Sequence, residues 1–174
     1  MMAAMTDEAK KRSFPPNTIH VIRTAQQIHV TLSQMADQKA NMLLAATFVI
    51  FTIAIGQVRA MAEPLPLLIL GAGAFFSAIL AIFAVLPAAD YRTGGPVNLL
   101  FFGSFAHLEE DAFVERVLAT VEDEEAAYRL MLRDLHQNGR VLERKKYRLL
   151  GYAYRVFLIG LVASFAAFVA EYFV

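Results

Sequence analysis

The sequence predicts an all-α integral membrane protein with three transmembrane helices. Of its 174 residues, 57% are hydrophobic and 18% are charged, whereas a soluble domain usually carries about 25% charged residues. Charged residues are absent from 40–58, 64–89 and 156–170. Because a helix rises about 1.5 Å per residue, about 20 residues cross a hydrocarbon layer of ~30 Å. The predicted spans are 40–58, 64–87 and 156–174.

The cations are distributed unevenly along the chain. Of sixteen lysines and arginines, only Arg59 falls in the turn between the first two spans, and the other fifteen lie in 1–39 and 90–155. Since lysine and arginine are retained on the cytoplasmic side, the N-terminus is predicted to be cytoplasmic. Residues 1–17 contain a Pro-Pro pair and no apolar run, so we expect disorder there and no cleaved signal peptide.

The first and last spans are predicted to continue into a cytoplasmic helical bundle. Residues 18–39 extend the first span as a helix, and both this helix and the C-terminal one carry a seam of alternating four- and three-residue spacing. The first seam is Val21, Ala25, Ile28, Leu32, Met35, Lys39, Met42 and Ala46. The second is Tyr128, Leu132, Leu135, Gly139, Leu142, Lys146, Leu149 and Ala153. Because both helices enter the membrane in the same direction, a parallel pair with residue 156 level with residue 40 is expected. Packing within the chain and self-association both remain open.

Residues 88–155 are predicted to form a cytoplasmic sensing region. A Gly- and Pro-rich stretch is followed by a short helix with carboxylates in its first turn, where they suit the helix dipole, and this helix should end near Thr120. The Asn138-Gly139 pair predicts a break in the C-terminal helix.

Signals for catalysis are weak. The chain has no cysteine, and His107 with Glu110 is a single metal-compatible pair without a second one. The 93–96 TGGP turn lacks the Lys-Ser/Thr ending of a phosphate-binding P-loop, and no serine stands near a plausible base. We therefore expect neither an enzyme nor a metal site, and we expect no nucleic-acid partner.

Six arginines project onto one arc of the C-terminal helix, opposite its seam: Arg129, Arg133, Arg140, Arg144, Arg148 and Arg155. Positive-inside sorting with internal ion pairs, a phosphate-bearing ligand and lipid headgroups would each explain them.

Lys39 and Lys146 interrupt the two seams. We expect Lys39 to pair with Asp37 or to extend to the membrane interface, and Lys146 to pair with Glu143. A polar group lies beside this level of the first helix and forms the most ligand-like region of the sequence: Gln26, Gln27, His29, Ser33 and Gln34.

Three segments occur in an order that resembles the Pycsar transmembrane effector family. They are 33–40 (SQMADQKA), 98–103 (NLLFFG) before the acidic helix, and 137–154, which contains KYRLL. The resemblance implies a bacterial anti-phage effector in the inner membrane. It further implies an activating ligand, cyclic UMP or cyclic CMP, made by a partner pyrimidine cyclase, and membrane impairment that leads to abortive infection.

The resemblance brings no ligand-contacting residues with it, so the expected site follows from the chemistry of a cyclic nucleotide. Its phosphate suits Arg144 or Lys146, its base face suits Phe102 or Tyr147, and its base edge suits Asn98 or Gln34. Asp37 and Lys39 complete the candidate set.

Two other functions remain open at this point. One is a membrane scaffold whose helical bundle docks a protein and binds no nucleotide, and the other is a membrane-tethered hydrolase, which the lack of a catalytic constellation disfavours. The seams also lead us to expect a homo-oligomer embedded in lipid.

Overall fold

The computed structural model describes residues 12–58, 65–86 and 97–173. Within them the chain forms helices and turns without a strand. The helices are α1 (Thr18–Gln57), α2 (Leu65–Val85), α3 (Phe102–Phe105), α4 (Glu110–Val121), α5 (Glu124–Val141) and α6 (Arg148–Phe173), with a π-helical segment, Leu142–Tyr147, between the last two. The predicted turn at 59–63 and the Gly- and Pro-rich residues 88–96 lie outside the described residues, as do residues 1–11 of the stretch expected to be disordered.

Among the described residues, three helical runs are long and apolar enough to cross a membrane: Thr18–Gln57, Leu65–Val85 and Glu124–Phe173. Large apolar side chains point outward from them, among them Phe48, Ile159 and Phe165. An outward-facing apolar surface is stable when hydrocarbon rather than water surrounds it. The predicted all-α fold with three membrane-spanning helices is confirmed.

The chain divides into two compact units, which are described separately. The polar unit comprises the described residues of Met1–Gln26 and Tyr91–Leu135. The span unit comprises those of Gln27–Asp90 and His136–Val174.

In the span unit, α2 and α6 run antiparallel and touch through small residues. Ser77 donates its hydroxyl to the Ala153 carbonyl at 2.8 Å, and Ser164 donates to the Pro66 carbonyl at 2.7 Å. Between these two bonds, a Cβ added to Gly73 would lie 2.8 Å from the Cα of Gly160. Since lipid supplies no hydrophobic force between helices, close backbone approach and such hydrogen bonds hold them together.

The core of the span unit consists of residues from three helices. Most are alanines, which let the helix backbones approach closely. They are Ala36, Ala40 and Leu43 of α1, Ala81 and Ala84 of α2, and Leu150 and Ala153 of α6. Because most of these core residues are alanines, a search for large apolar residues in the sequence does not identify the buried faces of the three helices.

Helix α1 runs parallel to the C-terminal helices within the span unit. The Tyr147 hydroxyl donates to the Leu32 carbonyl at 3.2 Å, and the Tyr154 hydroxyl donates to the Lys39 carbonyl at 3.1 Å. Both bonds join residues 115 positions apart. The helices run parallel as expected, and side-chain hydrogen bonds between them join residues 109 to 115 positions apart, somewhat fewer than the expected offset of 116.

The predicted seam of α1 does not pack inside the chain. Val21, Ile28, Met35 and Met42 are between 43% and 69% exposed. The buried positions lie one residue further along: Ile22, Ala36, Leu43 and Thr47, with Ala40 beside them. Of the two alternatives left open for this seam, packing within the chain is not observed for these four residues, because the buried face of α1 is displaced by one position and combines Ile22 and Leu43 with small residues.

The predicted break at Asn138-Gly139 is also wrong. Helix α5 continues to Val141, and the irregular segment is Leu142–Tyr147, where the helix widens to a π-helix. A Cβ on Gly139 would lie 3.0 Å from Cε1 of His29. The glycine therefore makes room for an imidazole on α1 and does not end the helix.

Replacing Gly160 with Ala should destabilise the span unit by about 2 kcal/mol, because the new methyl group collides with the Gly73 backbone. Thermal melting of the detergent-purified protein measures the effect. Gly151→Ala is the matched control on the same helix, since its Cβ would have no atom within 4 Å. Equal melting temperatures for the two variants would contradict the close α2–α6 contact.

Candidate functional site

A charged cluster joins α1 to the π-helical segment. The Lys146 ammonium donates to both oxygens of Asp37, at 2.8 Å and 2.7 Å, and to the Ser33 hydroxyl at 2.7 Å. The Lys146 side chain is 20% exposed and that of Asp37 is 41% exposed. This cluster of Ser33, Asp37 and Lys146, called the latch below, is a partly buried ionic contact between α1 and the π-helical segment.

Local sequence explains why the latch forms here. Ser33 and Asp37 are four residues apart on α1, so their side chains lie on one face. Lys146 falls in the π-helical segment, where the ladder of backbone hydrogen bonds widens by one residue. Such segments are rare and are frequent at functional sites.

The latch leaves the Lys146 ammonium with no spare donor. A lysine ammonium has three N–H groups, and the structure gives it three acceptor atoms. A ligand phosphate would bind Lys146 only by replacing the Ser33 hydroxyl or an oxygen of Asp37.

The pairing expected for Lys146 was wrong, and of the two alternatives for Lys39 the pairing with Asp37 is excluded, whereas extension to the membrane interface stays a prediction. Lys146 pairs with Asp37 of α1 and not with Glu143, whose carboxylate lies 3.8 Å from Nε of Arg144 on an exposed surface. Asp37 is thus engaged by Lys146 rather than by Lys39, whose side chain is exposed. Pairing by proximity along the sequence failed because a facing helix offered a less exposed partner.

Six of the predicted site residues belong to the span unit: Gln34, Asp37, Lys39, Arg144, Lys146 and Tyr147. The structure brings Asp37 and Lys146 into contact, and it places the Tyr147 hydroxyl on a backbone carbonyl one turn away on α1. Gln34 and Arg144 are exposed.

The other two predicted residues, Asn98 and Phe102, belong to the polar unit. Phe102 is exposed and packs against Phe101 with ring centroids 5.2 Å apart. Asn98 is 1% exposed. Its amide nitrogen donates to Asp134 at 3.1 Å, and its amide oxygen accepts the Leu100 N–H at 3.0 Å. The Asn98 amide thus shapes the turn before α3.

Asp134 is a buried carboxylate at the centre of a hydrogen-bond network, and it was not identified from the sequence. It is buried, and besides Asn98 it accepts a hydrogen bond from the side chain of Gln26 at 3.1 Å. A buried carboxylate has to be compensated by donors, so this network fixes the polar unit. One feature of the sequence could have pointed to this network. Gln26 is a polar residue beside the α1 seam, and such a residue requires a hydrogen-bond partner from another part of the chain.

The six arginines of the predicted stripe are all exposed. Nε of Arg129 donates to Glu125 at 2.8 Å, and the Arg155 guanidinium lies over the Tyr152 ring at 6.0 Å. Within the residues that the structure describes, no group of three or more histidines and carboxylates could hold a metal ion.

The fold and the latch define a class of protein: a multi-pass helical membrane protein with an ion-paired contact where its first helix meets the segment leading into its last span. The family model of the Pycsar effector protein domain matches residues 20–171. The chain belongs to this family, and membership supports an anti-phage defence effector. No curated protein and no solved structure matches the chain.

A double-mutant cycle between Asp37→Asn and Lys146→Met should give a coupling free energy of about 1 kcal/mol, since the pair is well aligned yet partly solvated. Denaturation of the detergent-purified protein measures it. The matched control is the cycle between Glu143→Gln and Arg144→Gln, an exposed pair that should couple negligibly. Equal coupling in both cycles would show that the latch is no stronger than a surface contact.

Proposed function

We propose that the chain is an effector of bacterial anti-phage defence that responds to cyclic UMP or cyclic CMP, made by a partner pyrimidine cyclase, by impairing the inner membrane. The observation that carries this proposal is the family match over 20–171. The three span-capable helices support a direct action on the membrane. Infection would thereby end with the death or arrest of the infected cell.

The proposed location is the inner membrane, with the N-terminus and residues 88–155 in the cytoplasm. The distribution of lysine and arginine supports this orientation, because fifteen of sixteen lie outside the turn between α1 and α2. A nucleotide made in the cytoplasm would then reach the polar residues of the chain.

The latch suggests how a ligand acts on the spans. With Lys146 bound to Asp37, α1 is held against the segment that leads into α6. An anion that binds better to a state with the latch open shifts the population toward that state. Helix shifts of 1–2 Å are a known way to transmit such a change. Gln34, Lys39, Arg144 and Tyr147 are the proposed responsive residues around it.

We also propose that the chain acts as a homo-oligomer through the exposed stripe of α1: Ile28, Met35 and Met42, spaced seven residues apart. Helices with apolar residues at this spacing supercoil around copies of themselves. Lys39 occupies the alternate seam position, where a single lysine sets register and oligomeric state at some cost in stability. The membrane keeps the copies parallel.

Liposomes containing the protein should release an entrapped dye when cyclic UMP or cyclic CMP is added, and should stay closed with cyclic AMP or cyclic GMP. Asp37→Asn should release dye without ligand, because the latch is weakened, whereas Glu143→Gln should require ligand. If neither pyrimidine nucleotide changes leakage, the scaffold alternative is favoured over a ligand-gated effector.

Ile28→Glu should lower the oligomeric state in detergent, because burying a carboxylate in an interhelical seam is costly. Gln27→Glu introduces the same charge one residue outside the seam and should leave the oligomer intact. Native mass spectrometry compares the two variants with the unchanged protein. If the unchanged protein and both variants are all monomeric, the proposed assembly is contradicted.

A further inference from the structure

The polar unit contains an open cavity of about 330 Å³ that the latch and the predicted site residues do not use. Three arginines line it: Arg12 ahead of α1, and Arg129 and Arg133 on successive turns of α5. Arg129 and Arg133 are four residues apart, so their side chains project from one face of the helix. Because the side chains of Arg12 and Arg129 are 68% and 62% exposed, solvent screens their repulsion and the guanidinium groups form a positive patch that an anion can reach from solution.

Charge compensation within the cavity is incomplete. Glu125 accepts a hydrogen bond from Arg129 at 2.8 Å and lies 3.9 Å from Nε of Arg12. It is the only carboxylate among the described lining residues, and a second carboxylate, that of Glu124, lies against the lining residue Tyr128, so two carboxylates face three arginines. Arg133 has no carboxylate within 4.0 Å in the parts of the chain that the structure describes. The cavity therefore has an excess of positive charge that a phosphate group would balance, and planar guanidinium donors suit phosphate oxygens.

Two aromatic rings give the cavity a second property. Phe14 and Tyr128 both line it, with ring centroids 4.8 Å apart and planes inclined at 60°. Burial raises the pKa of the Tyr128 phenol above its ordinary value, and the neighbouring Glu124 carboxylate raises it further. The phenol therefore stays neutral, and both rings present uncharged surface to a ligand.

The size of the cavity limits the ligand. Ligand pockets in proteins measure roughly 300–1,000 Å³, so this cavity lies at the small end of the range. The cavity is large enough to hold one nucleotide. The arginine surplus and the aromatic surface together favour a ligand with a planar ring and a phosphate group.

We propose that this cavity is the binding site for the cyclic pyrimidine mononucleotide, an inference that rests on the proposed function. Arg133 and Arg12 hold the phosphate, and the base lies against Phe14. Arg129 remains paired with Glu125 and adds to the positive field. Unlike Lys146, whose donors are all engaged in the latch, Arg133 is available to a phosphate without breaking an ion pair to a described carboxylate.

Titration calorimetry of the full-length protein in nanodiscs tests the site, with cyclic UMP, cyclic CMP and inorganic phosphate as separate probes. Arg133→Gln should weaken binding of the preferred nucleotide at least tenfold, since a charged hydrogen bond to phosphate is lost. Arg140→Gln removes the same charge from an exposed position of α5 outside the cavity and should change the affinity less than twofold. Phe14→Ala should weaken nucleotide binding without altering the weaker binding of inorganic phosphate.

The outcomes separate the site from the function. If the unchanged protein binds a cyclic pyrimidine nucleotide and Arg133→Gln binds it equally well, with an unaltered melting temperature, the cavity is not the site and the proposed function stands. If Arg133→Gln keeps its affinity for the nucleotide but retains fewer phosphatidylglycerol molecules from the nanodisc, counted by native mass spectrometry, the cavity takes a lipid phosphate and the inference is overturned. If the unchanged protein binds neither nucleotide, the proposed function and this inference fail together.

Discussion

Close backbone contact between helices in an apolar solvent is the constraint on which the span unit depends. Lipid does not drive helices together as water does, so their association rests on packing and on hydrogen bonds that would otherwise be unsatisfied. Gly73 against Gly160, and the serine hydroxyls donated to backbone carbonyls, provide both. The large apolar side chains are thereby released to face outward, and polar side chains of α1 and the π-helical segment can meet at defined positions.

The described charged clusters are of two kinds, one in which cations and carboxylates are matched and one in which cations are in excess. The latch is one lysine matched to one aspartate and one serine, which closes a contact between two helices. The arginine-lined cavity of the polar unit is the opposite arrangement, with more cations than carboxylates among its described lining residues. In the proposed mechanism, the matched pair holds the resting state and the arginine-lined cavity attracts the ligand.

The sequence was sufficient for the all-α class, the three spans and the parallel pairing of α1 with the C-terminal helix, because hydrophobic run length and helix rise determine them. It was insufficient for the buried face of α1, since alanines such as Ala36 and Ala40 carry little hydrophobic signal yet permit the closest packing. It also failed for Lys146, because the choice between Glu143 and Asp37 depends on which helix lies opposite. The arginine-lined cavity was beyond sequence reasoning, since Arg12 and Arg133 are brought together only by folding.

The π-helical segment has a consequence for the geometry of the helix that contains it. A wider turn accommodates about one more residue than an α-turn, and one residue corresponds to about 100° around the axis of an α-helix. A uniform projection places Arg148 about 80° around the axis from Arg140, whereas absorbing one residue in the segment brings their directions to within about 20°. The π-helical segment therefore contains about one residue more than an α-helix of the same length would need. Loss of a single amino acid between Leu142 and Tyr147 would tighten the coil to an ordinary α-helix and leave α6 facing its neighbours as before.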